Sequence, residues 1–504
     1  MTSSLLVRLS ALPLVLGLVA LGAPAQAHGD GDVATNTRAA QVEQVGEGKR
    51  MRFVANLQYD KTGEAQNGSD IEFMRLGGKE YALAGTLRGG LQIIDITNPR
   101  EPRKVATYDC AISQGDIQVW KTGSRVLASY TADGTVRAEG AASQCGRDLG
   151  LEAGDAGTVL VDLTSPRNPR SVSFLPVAQG SHNMSLHPSG DYLYNSNSDL
   201  YGADVTPNIT IFDVRNPMAP KEVKEFEIPY TPILSSLGSE SHDVTFDKSG
   251  DRAYVAALSQ TLVLDTSDPR NPKLISKIVD PAINVVHQSD PFRVQRPNGT
   301  WRELLIITDE RAGAAASVEC PGGGLHVYDV TRGKEKDPEK IGTWFIPAAQ
   351  PQAGTTCTSH VLRIYPRQQM MTISWYSQGV RVLDISGLAT YKGSPNDTAS
   401  GNGIGMKEVG HYVFPDSDSW SFKTNKIRRD GSFFGYSNDL VRGFDVFKFR
   451  GLRDRQVAPL KPRDVAPRQS AEGSKMLAPL AVLLPSLLAV GLIRRRNRTR
   501  DEDA

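Results

Sequence analysis

The sequence has almost no net charge and few of the side chains that most often carry chemistry. Of its 504 residues, 57 are Lys or Arg and 56 are Asp or Glu, so the formal net charge is +1. Without a global positive field, the chain is not expected to bind nucleic acid. Only eight histidines and four cysteines occur, and no Cys-x-x-Cys pair or Cys/His zinc spacing is found among them.

Motifs of several common enzyme classes are also missing. No nucleophile elbow, phosphate-binding loop or dinucleotide fingerprint stands where a strand would run into a helix. In contrast, glycine and proline are plentiful, at 47 and 30 residues. This composition suits an all-β chain with many turns.

One short word recurs along the chain. Residues 261–272 read T-L-V-L-D-T-S-D-P-R-N-P, in which apolar residues alternate into an Asp and a turn cluster follows. This pattern predicts a strand that runs into a tight turn. Close copies begin at Leu91, Val159 and Ile209, and looser copies begin at Leu325, Val380 and Val441.

The seven copies predict seven equivalent units. Successive copies are 51 to 67 residues apart, and four-stranded propeller blades run about 40–50 residues before loop insertions. We expect the repeated Asp to be structural, because its carboxylate can accept the N–H groups of the following turn. The seven acids are Asp95, Asp162, Asp213, Asp265, Asp329, Asp384 and Asp445.

The word L-x-I-x-D-x-x-x-P-x-x-P resembles the repeat of the LVIVD-repeat proteins. The resemblance covers roughly residues 51–450 and is most specific in the first four copies, since the last three lack the double Pro. It implies a β-propeller fold and an exported setting, and it does not imply one activity. We therefore expect an all-β protein, a seven-bladed β-propeller of four-stranded antiparallel blades.

The ring is predicted to be closed by an N-terminal strand. The seventh copy has no outer strand after F-D-V-F, and residues 51–59 precede the first copy without an inner strand of their own. Their sequence, M-R-F-V-A-N-L-Q-Y, resembles the outer strands of other copies. We predict that residues 51–59 pair with the strand that contains Asp445, which also removes an exposed sheet edge.

The N-terminal region predicts export. Residues 5–21 form an apolar run and Ala25-Gln26-Ala27 follows, so residues 1–27 are interpreted as a secretory signal peptide. An uncleaved anchor is the alternative. The polar residues 28–50 are predicted to be a flexible segment before the propeller.

The C-terminal region predicts attachment to a membrane. Residues 476–493 are apolar almost throughout and precede a basic tail, residues 494–504. They are interpreted as a transmembrane anchor with a cytoplasmic tail, or alternatively as a sorting tail removed after export. Residues 451–475 are predicted to be a disordered stalk. The propeller is therefore expected to be extracytoplasmic and membrane-anchored at the cell surface.

An exported chain can form disulfides, and four cysteines allow three connectivities. Proximity in the sequence favours Cys110 with Cys145 and Cys320 with Cys357. Both bonds would staple loops on one face of the propeller.

Four of the eight histidines hold an equivalent place in four consecutive copies. His182, His242, His287 and His360 each stand at the start of a predicted inner strand. Inner strands line the channel of a propeller, so these starts converge at one mouth. Imidazole is a common ligand of zinc, copper and iron, and we predict a metal site of these four residues. The alternative is that each Ser-His or similar pair caps a turn in a polar, water-filled channel.

Two sets of side chains accompany the histidines. Carboxylates expected to orient the rings by hydrogen bonds are Glu240, Asp243, Asp309 and Glu310. Aspartates at the equivalent starts of the first two copies, and side chains on loops of the same face, are candidates for ligand binding. These candidates are Asp70, Arg88, Asp116, Tyr201, Arg311, Trp375 and Tyr376.

Two functions are consistent with this organisation. In the first, the loop-bearing channel face binds an extracellular ligand or protein partner and carries a copper, iron or zinc ion. In the second, the chain is a metal-dependent oxidase or oxygenase, because its histidines resemble in arrangement those of propeller enzymes that hold iron or copper in their channel. A resemblance of arrangement implies less about activity than one of sequence.

Overall fold

The computed structural model describes residues 46–59, 65–197, 207–229, 238–311, 318–347 and 356–452. In these residues the chain forms seven antiparallel blades in a ring, the predicted seven-bladed β-propeller. The predicted signal peptide, anchor and basic tail, and all but two residues of the stalk, lie outside this part of the chain. Within it, no helix has the length and apolar character needed to cross a membrane.

Each blade runs from an inner strand at the channel to an outer strand at the rim. The short helices are Ala138–Ala142 and Gln144–Leu149, with a 3-10 turn at Ser386–Ala389. From inner to outer, the strands are Gly68–Leu76, Lys79–Thr86, Leu91–Asp95 and Arg103–Tyr108 in blade one; Gln114–Thr122, Arg125–Ala132, Gly157–Asp162 and Arg170–Pro176 in blade two; and Asn183–Leu186, Tyr192–Ser196, Asn208–Asp213 and Lys221–Glu227 in blade three. They are Asp243–Phe246, Arg252–Ala257, Gln260–Asp265 and Lys273–Ile278 in blade four, and Val286–Gln295, Trp301–Asp309, Leu325–Asp329 and Glu339–Phe345 in blade five. They are Leu362–Tyr365, Met370–Ser374, Val380–Asp384 and Met406–Val413 in blade six, and Ser419–Lys423, Phe433–Asp439, Gly443–Phe449 and Met51–Leu57 in blade seven.

The core lies between the blades, and this explains the apolar runs of the third strands. In blade four, Leu262 and Leu264 pack in a cluster with blade three, whereas Val263 packs in a cluster with blade five. Successive side chains of a strand point to opposite faces, and here both faces are covered by a neighbouring blade. The run is therefore continuously apolar, with all three residues fully buried.

Six of the seven repeated aspartates fix the turn after the third strand. In each, a carboxylate oxygen accepts the backbone N–H of the residue two positions later, at 2.8–3.1 Å. This Asx-type hydrogen bond gives a backbone N–H of the turn an acceptor that the sheet does not provide. The structural role predicted from the sequence is confirmed for Asp95, Asp162, Asp213, Asp265, Asp329 and Asp384.

The seventh aspartate does something different. Asp445 is the third residue of the strand Gly443–Phe449 rather than its last, and its carboxylate binds the side chains of Arg442 and Asn56. The prediction that Asp445 is equivalent to the other six aspartates is therefore wrong, although the strand that contains it is predicted correctly.

The predicted closure of the ring is confirmed. Met51–Leu57 pairs antiparallel with Gly443–Phe449, and Asn56 lies opposite Asp445. Just before it, Glu47–Lys49 pairs with the outer strand of blade six. The last residues of the segment predicted to be flexible are thus part of a sheet. A further strand, Thr398–Ser400, adds in parallel to the outer strand of blade five.

Both predicted disulfides are present, Cys110–Cys145 and Cys320–Cys357. The bonded residues are 35 and 37 positions apart. Closing loops of this length stabilises a fold by about 3–4 kcal/mol in the chain-entropy model.

We expect Cys145→Ser and Cys357→Ser each to lower the free energy of unfolding by about that amount, because each opens one loop in the unfolded chain. Urea unfolding without reductant measures the loss, and wild type under reductant should lose the sum. Peptide mapping that found a different pairing would contradict the assignment.

Candidate metal centre

The four predicted histidines lie side by side at one mouth of the channel. The ring centroids are 4.0 Å apart for His182 and His242, 4.2 Å for His242 and His287, and 4.3 Å for His287 and His360. Each residue is at most 4% exposed. The blade repeat therefore brings the four rings into one continuous, buried arc.

Equivalent backbone positions produce this arc. The N–H groups of His182, His242 and His360 each donate to a carbonyl at the end of the second strand of the same blade, at 2.7–3.1 Å. His287 stands where the inner strand of blade five shifts its register. The side chains consequently leave the backbone at matching points of four neighbouring blades.

Glu310 joins the arc from the loop after the second strand of blade five. Its carboxylate lies 3.6 Å from Nε2 of His287 through one oxygen and 3.6 Å from Nε2 of His360 through the other. The Tyr376 hydroxyl donates to the same carboxylate at 2.5 Å, and the Glu310 side chain is fully buried. Burial and the neighbouring carboxylate raise the pKa of Tyr376 well above its ordinary value, so the phenol keeps its proton.

The distances from the Glu310 carboxylate to the two histidine rings are longer than direct hydrogen bonds and close to the separation of two ligand atoms on one metal ion. A separation of 3.6 Å exceeds the usual 2.7–3.2 Å of an N–H···O bond. Two ligand atoms of a tetrahedral zinc-like ion stand about 3.4 Å apart, given metal–ligand distances of 2.0–2.2 Å. One ligand atom each from His242, His287 and Glu310 lies within 4.8 Å of the other two. In the described part of the chain, these three buried residues form the one group of possible metal ligands whose donor atoms lie this close together.

His360 is oriented by the backbone of blade seven. Its Nδ1 lies 2.6 Å from the carbonyl oxygen of Trp420, and a carbonyl can only accept, so Nδ1 carries a proton. In the neutral ring, Nε2 therefore presents its lone pair toward Glu310. The ring also packs against Tyr376 and Trp420, with centroids 4.5 and 4.8 Å away.

His182, at the other end of the arc, is held differently. Its Nδ1 lies 3.0 Å from a carboxylate oxygen of Asp133, and its Nε2 lies 3.2 Å from the amide nitrogen of Gln114. Nδ1–H donates to the carboxylate, so Nε2 accepts from the amide. Both ring nitrogens are thus engaged by protein groups, and a metal ion would have to displace Gln114 to bind this ring.

Three of the eight described non-glycine residues with positive φ lie beside the same arc. Gln114, Leu258 and Tyr376 have φ values of 91°, 47° and 43°. Residues other than glycine rarely adopt a positive φ. Gln114 contacts His182, Tyr376 contacts Glu310, and Leu258 forms a β-bridge with Val286, beside His287. Such strain costs of order 1–3 kcal/mol per residue and clusters at functional sites.

Comparison with known proteins agrees with the repeats. The LVIVD repeat profile matches residues 79–110 in blade one and 247–280 in blade four. This chain carries LVIVD repeats. No curated protein matches the LVIVD-repeat chain.

Solved structures similar to the LVIVD-repeat propeller share little sequence with it. A protein from Lactobacillus plantarum is 10% identical, with 72% of this chain and 94% of that chain covered and a TM-score of 0.48. The periplasmic gluconolactonase PpgL of Pseudomonas aeruginosa is 10% identical, with coverage of 74% and 96% and a TM-score of 0.47. The β-propeller domain of Cps50 (Swd1) from Myceliophteria thermophila is 10% identical, with coverage of 76% and 96% and a TM-score of 0.45. At these values the similarities carry no argument about activity.

Asp70 and Asp116 of the LVIVD-repeat propeller lie one position deeper in the channel than predicted. The backbone N–H of Asp116 donates to the Thr131 hydroxyl at 3.0 Å. In the same way, the backbone N–H of Gln288 donates to the Thr308 hydroxyl at 3.0 Å. Asp116 is therefore equivalent to the residue after His287. Both aspartates lie where their inner strands shift register, and this irregularity is not visible in the sequence.

These aspartates belong to a charged belt along the channel wall. Lys423 binds Asp70 at 2.5 Å and Glu72 at 3.1 Å, and Glu72 also binds Arg363. Burial raises the pKa of Asp70 and, further, that of Asp116. Sequence analysis missed Glu72, Lys423 and Arg363, although the two-residue spacing from Asp70 to Glu72 on one strand was a usable signal.

Two further carboxylates of the inner strands join the belt. Burial raises the pKa of Asp243 to about 7 and that of Asp290 to about 6. Asp290 accepts hydrogen bonds from Thr245 at 2.9 Å and Gln288 at 3.1 Å. Asp243 was expected to orient the histidine rings, and its carboxylate instead accepts the N–H of Val244.

The remaining candidates divide into core, surface and undescribed positions. Trp375 does not line the mouth: it is fully buried in the core that includes Trp344, 6.1 Å away. Its neighbour Tyr376 takes the position at the histidines, because adjacent residues point in opposite directions. Arg88 and Arg311 are exposed. Tyr201 lies outside the described residues.

Other polar groups named from the sequence have structural partners. Asp309 accepts the N–H groups of Asn284 and Val285 at 2.8 and 3.1 Å, so it braces a loop rather than a ring. In the described part of the chain, the histidines outside the arc bind neighbours on their own blades or the next, at 2.7–3.0 Å. They are His187, His326 and His411.

Proposed function

We propose that this LVIVD-repeat propeller is an exported protein that binds a transition-metal ion at the loop-bearing mouth of its channel and uses that face to bind an extracellular ligand or partner. The observation that carries the proposal is the gathering of ligand atoms from His242, His287 and Glu310 within 4.8 Å of one another. Imidazole with carboxylate suits zinc, iron or copper, whereas calcium and magnesium prefer oxygen alone.

In this proposal the remaining groups around the arc position the donors. The Trp420 carbonyl fixes His360 with its Nε2 toward Glu310, and the Tyr376 hydroxyl holds one carboxylate oxygen. Such outer contacts set the orientation and basicity of metal ligands. A metal ion bound there would supply Lewis acidity or redox chemistry.

The proposed cellular setting is the outer face of a membrane. The two disulfides support an oxidising compartment. The apolar run at residues 476–493, followed by the basic tail, supports a C-terminal anchor. Protease accessibility of the propeller on intact cells, lost after removal of residues 476–504, tests this arrangement.

Glu310→Gln and His242→Ala are expected to lower metal affinity by at least about tenfold, because each removes a ligand or its charge. Elemental analysis of protein purified without chelators should find about one ion per wild-type chain. Affinity should fall as the pH becomes acidic, since only neutral imidazole binds metal. His411→Gln is the matched control, because His411 binds Glu408 on an outer strand, and it should retain the ion.

The proposed metal centre is wrong if wild-type protein purified in this way contains no metal and takes up no zinc, copper or iron when these ions are added. The arc would then be a polar binding surface. Metal-dependent oxygen consumption by the loaded protein would instead support the oxidase or oxygenase hypothesis.

A further inference from the structure

Two carboxylates of the channel wall, just inside the arc of histidines, are held only by the backbone. Asp116 accepts a hydrogen bond from the N–H of Met184 at 3.1 Å, and Asp243 accepts one from the N–H of Val244 at 2.7 Å. In the described part of the chain, no Lys, Arg or His forms an ion pair with either carboxylate. Both residues are only partly buried, so their remaining oxygen atoms are reached from the channel.

Asp70 of the neighbouring blade one is more deeply buried, and one of its oxygens makes no hydrogen bond. Oδ1 binds the Lys423 ammonium group of blade seven at 2.5 Å. Oδ2 is buried without a hydrogen-bond partner in the described residues, and the whole residue is 5% exposed. A buried carboxylate oxygen without a partner carries a desolvation cost. Since blade one stands between blades seven and two, this carboxylate lies between Lys423 and Asp116.

The three carboxylates act on one another electrostatically. Burial, and after it the negative charge of Asp70, raises the pKa of Asp116, and the charge of Asp243 adds to the shift. Like charges that repel in this way lie along one stretch of the channel. A cation among them would offset both the repulsion and the desolvation of the Asp70 oxygen.

We propose that this stretch of the channel binds a hard divalent cation, calcium or magnesium, among Asp70, Asp116 and Asp243. The side-chain donors are all carboxylate oxygens, which these two ions prefer to imidazole. The three carboxylates are not among the described groups whose donor atoms lie within 4.8 Å of one another. The ion therefore keeps part of its water and contacts some of the carboxylates through it, as magnesium commonly does. This site is separate from the proposed transition-metal centre and does not depend on it.

Calorimetric titration of the chelator-treated and dialysed full chain with calcium and, separately, with magnesium tests the site. The titration is done at pH 8, because only ionised carboxylates bind these ions. We expect about one ion per chain, and Asp70→Asn and Asp116→Asn each to weaken binding roughly tenfold or more, since each keeps the side-chain shape but removes a charge. Asp268→Asn is the matched control: this carboxylate is 51% exposed in a turn of blade four, beside Arg270, and its loss should leave binding unchanged.

Thermal unfolding in the presence of chelator guards against a mere loss of fold. Asp116→Asn removes a buried charge that its neighbours repel, so its midpoint should equal or exceed that of wild type at pH 8. Added calcium or magnesium should raise the midpoint of wild type and have less effect on the variant.

The proposal is overturned if wild type binds neither calcium nor magnesium, or if both Asp variants bind the ion as wild type does. His242→Ala should retain the hard cation, because it alters only the arc. Zinc, copper and iron are measured on the same samples. Binding of calcium or magnesium without any transition metal would support this site and reject the metal centre, whereas a transition metal without calcium or magnesium binding would do the reverse.

Discussion

Deleting residues 46–59 is expected to destabilise the entire propeller in a single transition, by at least about 4 kcal/mol. The deletion removes the outer strand of blade seven and the strand Glu47–Lys49 of blade six. It also removes Met51, which is buried, and Phe53, whose ring packs against Phe414 and Phe447 at 5.2 and 6.3 Å. The ring would then close through three strands of blade seven, with an exposed edge.

Thermal and urea unfolding followed by circular dichroism measures this effect. Phe53→Ala is the milder variant and should show a fraction of the loss, because it keeps the strand. Deletion of residues 28–44, which removes neither strand, serves as the control and should unfold like wild type. An unchanged midpoint after deletion of residues 46–59 would show that the N-terminal strand does not stabilise the ring.

The sequence predicts the architecture well because the relevant signals are local and repeated. The spacing of the third strands determines the number of blades, and the strand missing after Asp445 identifies the need for closure. The disulfides follow from proximity in the sequence, since each joins neighbouring segments of one face. The four histidines come together for the same reason: the repeat places equivalent residues at equivalent points in space.

Single-residue register is where prediction from the sequence is wrong. A register shift in an inner strand moves every following side chain by one place, and such shifts displace Asp70 and Asp116 from the histidine layer. The choice between Trp375 and Tyr376 depends on the same alternation. An aromatic pair on a loop does not reveal which member faces the core.

Contacts between distant segments are also not encoded by the repeat. Asp133 and Gln114 meet His182 from blade two, and Trp420 meets His360 from blade seven. The sequence indicates Glu310 only as a group that orients a ring, whereas in the structure it lies between two rings as a candidate ligand. Such pairings arise from how blades pack, so a single sequence does not specify them.

Arg442→Met is expected to cost about 3–5 kcal/mol of folding free energy. The guanidinium is fully buried, with Nε 2.6 Å from Asp445 and Nη1 2.6 Å from Asp416. Its central carbon lies 3.5 Å from the centroid of the Phe414 ring. Methionine can replace the packing but not the charge, so the Asp445 carboxylate would remain buried without its main counter-ion.

The pH dependence of this loss identifies its cause. Burial raises the pKa of Asp445 while Arg442 opposes that shift, so removing Arg442 should raise the pKa further. A carboxyl whose folded pKa exceeds its unfolded value of about 3.9 contributes stability at low pH that is lost as the pH rises toward the folded pKa. The variant should therefore be closer to wild type at pH 5 than at pH 8.

Asp439, whose pKa burial raises to about 8, titrates nearby, so Arg442→Met with Asp445→Asn isolates the Asp445 contribution. This double variant should recover part of the stability at pH 8, and a loss that is equal at both pH values and unrelieved by Asp445→Asn would assign the role of Arg442 to packing alone.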